Sequence, residues 1–394
     1  DESIVELALQ SLTLHRDYPD CVEANLSFHV EMTRSPLCQA VYKNSECYDL
    51  TIGLMVEHNE AKSVCTPALL LLLNMAAGDA HCARFEKDDD LRVILNTLRF
   101  FVDKESVQAI GSQLLNTLAS HARVCARLIA LEAVHVMCEA VNRYQDNETI
   151  QICATHTLSH FTVEESCVMA MLNHGLVTTY LGVLAHFADN QEVQRTVLEV
   201  MAVLCGTPMG CTTFFNENGL MCVFSAISAF PEDPMLLAFC CDIIASCIHT
   251  ISQNDTYPVL LHNNCMELIL NILKRMHTHV VCQNSALSVL REMMLQPEYH
   301  AQFLNYEGPA VFEECMVNDD MLDSAAYSIV SIMFSSCQSE KVAQQMMRKQ
   351  LLLNLVHVVD LFPGNKRVNK SAALMWEMAT RNKEMAKLLL QTTV

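Results

Sequence analysis

Apolar residues recur along this chain at intervals of about 43 residues, each just after a turn that contains polar residues or proline. We call these residues anchors. Nine anchors span the sequence: Val22, Val64, Val107, Ile150, Val193, Leu236, Val281, Leu322 and Val368. A period of this length is typical of helical repeats, in which each unit buries its apolar face against its neighbours. Such an array presents an extended surface, which favours binding over catalysis.

The residues after each anchor have the spacing of one helix face. Eight residues beyond the anchors lie Val30, Leu72, Leu115, Leu158, Met201, Ile244, Val289, Val330 and Trp376, all of them apolar. Eleven residues beyond lie Thr33, Met75, Leu118, Phe161, Leu204, Cys247, Glu292, Met333 and Ala379. Offsets of zero, eight and eleven share one stripe of a helix with 3.6 residues per turn. We therefore expect a core helix after every anchor, with only Thr33 and Glu292 breaking the apolar rule and Trp376 in the core.

A second apolar helix precedes each anchor, and a turn separates the two. The clearest second helices run over residues 176–187, 221–230, 266–276 and 351–362, with turns such as 146–147, 189–190, 231–234 and 363–365. A shorter segment before them often ends in a glycine-bearing corner, as at Gly175, Gly219 and Gly308, which suits a left-handed helix end. The sequence thus predicts three helices per unit.

Composition supports an all-α fold. Hydrophobic residues make up 51% of the chain, yet only 10 Gly and 10 Pro are present, too few for the many turns of an all-β fold. A chain of 394 residues exceeds the size at which one globular core keeps growing, but stacked repeats escape that limit. Because no low-complexity linker is visible, we expect residues 1–394 to form a single continuous domain.

The charge of the chain restricts its partners. The chain has 25 Lys and Arg against 45 Asp and Glu, a formal net charge of −20. This charge disfavours nucleic acid and anionic membrane, whose binding depends on Lys and Arg. It favours protein partners with a basic or neutral segment, although it could equally serve only to keep an apolar helical stack in solution.

Location and redox state follow from further features. No apolar run is long enough for a membrane span, and the acidic start at Asp1 and Glu2 is unlike a signal peptide, so we expect a cytoplasmic protein. The first residue is not methionine, so the chain could be a segment of something larger. The nineteen cysteines, without close CxxC pairs, are typical of a reduced protein that uses Cys as a small hydrophobe.

The repeat unit resembles that of the armadillo superfamily. The resemblance rests on the turn, anchor and helix of residues 188–194, continued by Leu198, Met201 and Leu204, and on its counterpart at residues 146–151. A variant with an aromatic residue and proline before the turn, at 230–231 and 362–363, is similar to armadillo segments of leucine-rich-repeat kinases and other kinase-like proteins. The resemblance implies a right-handed α-solenoid, an armadillo-like superhelix of about nine repeats.

The armadillo family binds partners along the last helix of each unit, on its exposed concave face. Carried onto this sequence, that surface comprises the positions six and ten residues beyond each anchor, which we call the ladder. The ladder is apolar at both ends, at Phe28, Met32, Leu374 and Met378. Its polar centre comprises Asn74, Gln113, Thr117, His156, His160, Glu199, Asp242, Ser246 and Arg291.

The ladder differs from the known ligand-binding patterns of the family. Nuclear-import receptors carry repeated tryptophan and asparagine at these positions, but only Asn74 matches here. A catenin-like series of lysines is also missing. The resemblance therefore disfavours binding of nuclear-import signals and of acidic extended ligands.

Candidates for chemistry are few. His156 and His160 have metal-ligand spacing on a helix, but no third ligand is evident, so we expect a solvated pair and no metal. No nucleotide loop or nucleophile elbow occurs, and we expect neither a cofactor nor enzyme activity. The C-terminal residues 392–394 match a PDZ-domain ligand, a three-residue pattern that also arises by chance.

Two functions fit this sequence. One is an interaction scaffold that binds a polar or basic peptide or helix along the ladder. The other is a regulatory armadillo array of a larger kinase or pseudokinase, with an intramolecular kinase-like domain as its partner.

Overall fold

The computed structural model describes residues 2–35, 42, 46–77, 82–346 and 348–381. These residues form helices joined by turns, with no strand among them, so the all-α prediction is confirmed. The chain divides into two compact units, Asp1–Phe187 and Ala188–Val394. That it acts as a single continuous domain stays a prediction.

The first unit contains eleven α-helices and one 3-10 helix among its described residues. They are α1 (Glu2–Leu14), α2 (Pro19–Thr33), α3 (Cys47–Glu57), α4 (Lys62–Ala76), η1 (Cys82–Glu86), α5 (Asp88–Phe100), α6 (Glu105–Ala119), α7 (Ala122–Ala130), α8 (Ala133–Arg143), α9 (Glu148–Phe161), α10 (Glu165–Asn173) and α11 (Leu176–His186).

The second unit contains thirteen α-helices in its described part. They are α12 (Gln191–Cys205), α13 (Pro208–Asn216), α14 (Gly219–Ala229), α15 (Pro234–Thr250), α16 (Gln253–His262), α17 (Cys265–Met276), α18 (Val280–Met294), α19 (Pro297–Asn305), α20 (Gly308–Cys315), α21 (Asp323–Ser336), α22 (Glu340–Met346), α23 (Lys349–Leu361) and α24 (Lys366–Arg381).

The last helix of each repeat, which we call its third helix, forms a continuous layer within each unit. In the first unit α2, α4, α6 and α9 pack in sequence, each against the next. In the second unit α12, α15, α18, α21 and α24 do the same. Each repeat thus buries its apolar stripe mainly against its neighbours, as expected for a helical solenoid.

A side-chain cap fixes the start of several third helices. Asn147, Asn190 and Asp233 each accept a hydrogen bond from the backbone N–H three residues on, at 2.9, 3.1 and 3.1 Å. The residue three positions after the cap is the anchor in each case. The cap therefore satisfies an N–H that the helix itself leaves without a partner, and it also fixes which residue faces the core.

Seven of the nine predicted anchors are buried: Val22, Val64, Val107, Ile150, Val193, Leu236 and Val368. The other two are wrong by a few residues, because Val281 and Leu322 are 43% and 41% exposed. Cap geometry identifies the true anchor of α18 as Cys282, whose N–H bonds to the ring of the cap His279. In α21 the buried residue at the same place is Ala325. Thr33, eleven residues beyond Val22, is buried despite its polarity, as is Glu292, which lies ten residues beyond the corrected anchor Cys282.

The expectation that Trp376 is a core residue is also wrong. Its side chain is only half-buried, whereas its neighbour Met375 is fully buried.

The corners before the second helices are left-handed, as the sequence predicts, but glycine does not always supply the conformation. Gly175 has φ +72°, whereas Asn218 and Glu307 take the left-handed backbone at the two other corners. A Cβ on Gly219 would lie 2.3 Å from the ring of Phe214. This glycine is therefore required for close packing of α13 on α14 rather than for its own dihedral angles.

The residue after the anchor is a buried glutamine in four repeats: Gln108, Gln151, Gln194 and Gln283. The amide of Gln108 donates to the carbonyls of Leu98 and Phe101 at 2.8 and 3.1 Å, at the end of α5. Gln151 makes the equivalent bonds to the end of α8. The amides of Gln108 and Gln151 thus join the second and third helices of a repeat through carbonyls that a helix end leaves without partners, whereas Gln283 donates to the carbonyl of Cys315 in the next repeat at 2.8 Å.

Cysteines behave as the sequence predicts. Most of the described ones are buried free thiols, among them Cys241, Cys247 and Cys282, although Cys153 is half-buried. Burial raises the pKa of Cys282 and Cys315 to about 12. Such thiols stay protonated and act as small apolar side chains.

Replacing Gln108 by Met should destabilise the protein by about 1–3 kcal/mol. Methionine has a shape similar to that of glutamine but no N–H donor, so the carbonyls at the end of α5 lose their buried hydrogen bonds. The midpoint of urea unfolding measures this change. Gln145→Met, at an exposed glutamine of the next repeat, is the matched control and should stay within about 0.5 kcal/mol of the parent. Equal midpoints for the two variants would refute the joining role of Gln108.

The register of α18 can be tested with two alanine variants. Leu290 lies eight residues beyond Cys282 and is fully buried, so Leu290→Ala should cost about 2–5 kcal/mol. Val281→Ala, at the partly exposed position, should cost no more than about 0.5 kcal/mol. A larger loss of thermal stability for Val281→Ala than for Leu290→Ala would contradict this register and would support Val281 as the anchor, as the sequence predicts.

Candidate protein-binding surface

Ladder residues of the first unit lie on the exposed side of the third helices. Gln113 and Thr117 of α6 are half-buried, as is His156 of α9, and His160 is exposed. All four are polar. They are presented by two helices that pack against each other, which places their side chains along one polar strip.

Asn74, the ladder asparagine of α4, is engaged within the protein. Its amide nitrogen donates to the backbone carbonyl of Val30 at 3.2 Å and to the hydroxyl of Thr33 at 3.1 Å. Both acceptors belong to α2. The side chain therefore contributes to packing between two third helices, a role that the family pattern does not indicate.

In the second unit, two carboxylates occupy ladder positions on adjacent third helices. Glu199 on α12 is half-buried, whereas Asp242 on α15 is exposed. Ser246, four residues after Asp242, is half-buried. This part of the surface is acidic and hydroxyl-rich.

Asp242 has an unusual environment for an acid with an exposed edge. Surrounding protein removes water from its carboxyl and raises its pKa, and the buried Ser285 offsets part of this effect through a hydrogen bond. The neighbouring protein thus disfavours the charged form of Asp242, although the side chain is exposed at the surface. A cation placed beside it would stabilise that charge.

The register change after α15 alters the ladder of α18 and α21. Leu287, Ser328 and Ile332, which the sequence places on the ladder, are buried. Counted from Cys282 and Ala325, the ladder offsets fall on Ser288 and Ser331, which are half-buried, and on Glu292 and Ser335, which are buried. Counting back from Val368 in steps of 43 residues identifies both corrected anchors.

Arg291 is therefore not a ladder residue but the partner of one. Its guanidinium lies 2.7 Å from the carboxylate of Glu292, donates to the hydroxyls of Ser328 and Ser288, and stacks at 5.4 Å on the ring of Tyr327. The ring of His249 lies 3.7 Å from the same carboxylate. Glu292 thus neutralises Arg291, a pairing that the spacing of residues in the sequence does not predict.

Chemistry other than binding has little support in the described part of the chain. No group of three or more His, Cys, Asp or Glu there could hold a metal ion. The expected pair His156 and His160 lies on one helix, and no described third ligand joins it. The C-terminal residues 392–394 and the side chain of Met378 lie outside the described residues.

Among the described helices, none alone is long and apolar enough to cross a bilayer. Together, α10 and α11 pass a test of length and composition, but the two helices are bent by 71° relative to each other.

Repeated three-helix units with layered third helices define an armadillo-type α-solenoid, and this prediction is confirmed. The sequence pattern of the GAC ARM domain matches residues 132–337, more than half of the chain. The chain belongs to the GAC ARM domain family.

Structure comparison supports the same fold. A structure from work on a phosphorylation switch that controls the interaction between cadherin and β-catenin is similar, with a TM-score of 0.62 and 12% identity. The match covers 96% of this chain and 86% of the other. A crystal structure of an engineered protein matches with a TM-score of 0.46 and 14% identity, over 62% of this chain and 97% of the other. A search of curated proteins found no match.

Asp242→Asn should raise the urea midpoint of unfolding at neutral pH, because folding no longer places an ionised carboxyl in an environment that penalises it. The gain should shrink as the pH falls towards 3.8, the ordinary value for Asp, since the parent carboxyl then becomes protonated in both the folded and the unfolded chain. Asp320→Asn, in an exposed turn, is the control. A midpoint for Asp242→Asn at or below that of the parent at neutral pH would contradict the argument.

Proposed function

We propose that the protein is a non-enzymatic interaction scaffold that binds a polar or basic protein segment along the ladder of its third helices. The observation that carries the proposal is the acidic patch formed by Glu199 and Asp242, which occupy ladder positions on adjacent third helices. Armadillo-type arrays use this layer as an extended binding surface. Within the first unit, we propose the polar strip of Gln113, Thr117, His156 and His160 as a binding surface of its own.

The charges around this patch favour a cationic partner. Arg291, the cation on a neighbouring third helix, is already neutralised by Glu292. Opposite charges steer association and set specificity, and the overall charge of −20 adds to the attraction. An acidic segment or a nucleic acid would meet repulsion here.

The raised pKa of Asp242 supports the same assignment. Ionised groups that are costly in the free protein are characteristic of functional sites, because a ligand relieves the cost. A Lys or Arg of the partner would both pair with Asp242 and lower its pKa. Binding would therefore stabilise the folded protein.

Three further aspects belong to the proposal. We propose that the scaffold acts as one continuous domain and works in the cytoplasm, and that its partners are proteins. The structural neighbour from the cadherin and β-catenin work supports a protein partner by analogy of fold.

The alternative is a regulatory array that packs on a kinase-like domain of the same polypeptide. Both functions use the third helices as a docking surface. They differ in whether the partner is a separate protein or part of the same chain, and the longer sequence around this segment would distinguish them.

Reversing both carboxylates, Glu199→Lys with Asp242→Lys, should weaken binding by about 1–3 kcal/mol while helicity stays unchanged, because both side chains lie on the surface. Proteins retained from a cell lysate by the immobilised parent and by the double variant would be compared by mass spectrometry. The affinity of each purified partner would then be measured at two salt concentrations, where binding to the parent should weaken with salt.

Asp319→Lys with Asp320→Lys carries the same charge change at an exposed turn away from the ladder and serves as the control. Partners should be lost from the ladder variant and kept by this control. Equal retention by the ladder variant and the parent at both salt concentrations would place the binding surface elsewhere.

A further inference from the structure

The repeat period is broken once in the second unit. With the corrected anchors, Val193 to Leu236, Cys282 to Ala325 and Ala325 to Val368 are each 43 residues, whereas Leu236 to Cys282 is 46. The extra residues extend α15 to Thr250, later than the equivalent end of α12 or α18, and lengthen α16. An insertion therefore lies at the junction of the sixth and seventh repeats.

The insertion changes the path of the chain. Ile251, which ends α15, is extended at φ −90° and ψ 149°, whereas the residues that end α12 and α18 are helical. Ser252 then caps α16 through a hydrogen bond from the N–H of Asn254 at 3.3 Å. The first helix of the seventh repeat is thus displaced along the chain, while α15 and α18 still pack together.

An open cleft lies at this junction. Its volume is about 1160 Å³, and its walls come from the α13–α14 corner on one side and the α15–α16 connection on the other. A second cavity of about 220 Å³ lies between α14 and α17 of the same two repeats. The outer helices of these repeats therefore separate where the third helices do not.

The apolar part of the cleft includes large apolar side chains that are exposed to solvent. Met221 is 52% exposed, and Phe215 and Val259 are half-buried beside it. Methionine is flexible and polarisable, and so adapts to varied apolar side chains. This area suits one aliphatic or aromatic side chain of a ligand.

The polar part of the cleft offers donors and acceptors on both walls. Asn216 and Asn218 line one wall, and Asn254 and Asn263 line the other, where the amide of Asn263 also donates to the carbonyl of Val259 at 2.8 Å. Pro258 sits within α16 and has no N–H, so the carbonyl of Asn254 lacks its ordinary helical donor. Side-chain amides and an available carbonyl match the alternating N–H and C=O groups of an extended backbone.

The charge of the cleft favours some peptide ligands over others. Asp255 is the only Asp, Glu, Lys or Arg among the lining residues, and its side chain is exposed. A ligand with Lys or Arg would pair with it, whereas an acidic ligand would be repelled.

We propose that this cleft is a second binding site, separate from the ladder, for an extended peptide segment that carries an apolar side chain next to a Lys or Arg. The apolar side chain packs on Met221, Phe215 and Val259. The peptide backbone bonds to the asparagine amides, and the basic side chain pairs with Asp255. The segment belongs to another protein.

A phage-displayed library of random peptides, panned on the immobilised protein, tests the proposal. Recovered peptides should share a Lys or Arg beside an aliphatic or aromatic residue. Fluorescence polarisation with the synthetic peptides should show about tenfold weaker binding to Asp255→Lys and about fivefold weaker binding to Met221→Ala. Circular dichroism checks that both variants keep their helicity.

Two controls separate this site from others. Asp320→Lys changes the same charge at an exposed turn and should leave peptide affinity unchanged, as should the double reversal of Glu199 and Asp242. Each of four results would overturn the proposal: no enriched peptide, acidic consensus sequences, equal affinity for parent and both cleft variants, or loss of binding only in the ladder variant. A parent dimer that Asp255→Lys dissociates in analytical ultracentrifugation would instead assign the cleft to a second copy of this chain.

Discussion

The start of each third helix is the constraint on which the rest of this structure depends. In the third helices that begin after Asn147, Asn190 and Asp233, a cap side chain accepts a hydrogen bond from the N–H of the residue three positions on, and that residue is buried. Since a helix repeats every 3.6 residues, fixing one residue in the core fixes the direction of all the others. The positions of the core stripe, the buried glutamine and the exposed ladder therefore all follow from one helix register.

This dependence explains how far the sequence could predict the fold. Wherever the interval stays near 43 residues, the anchors and the core residues eight positions beyond them were predicted correctly, from Val22 to Leu236. After the insertion the apolar pattern misled, because Cys282 and Ala325 are small and less conspicuous than Val281 and Leu322 beside them. The buried glutamines were missed because a polar side chain is expected outside unless its backbone partners are known.

The ladder positions likewise follow the predicted register before the insertion and depart from it in α18 and α21. Glu199, Asp242 and Ser246 precede the insertion, and the offset rule places them on the exposed side. Arg291 follows it and lies one position away from the ladder, where only coordinates reveal its pairing with Glu292. Likewise, an amide such as that of Asn74 can face a ligand or a neighbouring helix, and the spacing of residues does not decide between the two.

Packing between adjacent third helices also explains how one repeat array could hold two different binding surfaces. At the sixth repeat the insertion opens the outer helices, yet α15 and α18 keep their contact and the core there stays buried. In a solenoid, each repeat interacts only with its neighbours, so a local opening leaves distant repeats undisturbed. The ladder depends on the third helices, whereas the cleft depends on the connection between α15 and α16. A change at Asp255 or Met221 can therefore alter the cleft without moving Glu199 or Asp242, which lie on helices held by the unbroken layer.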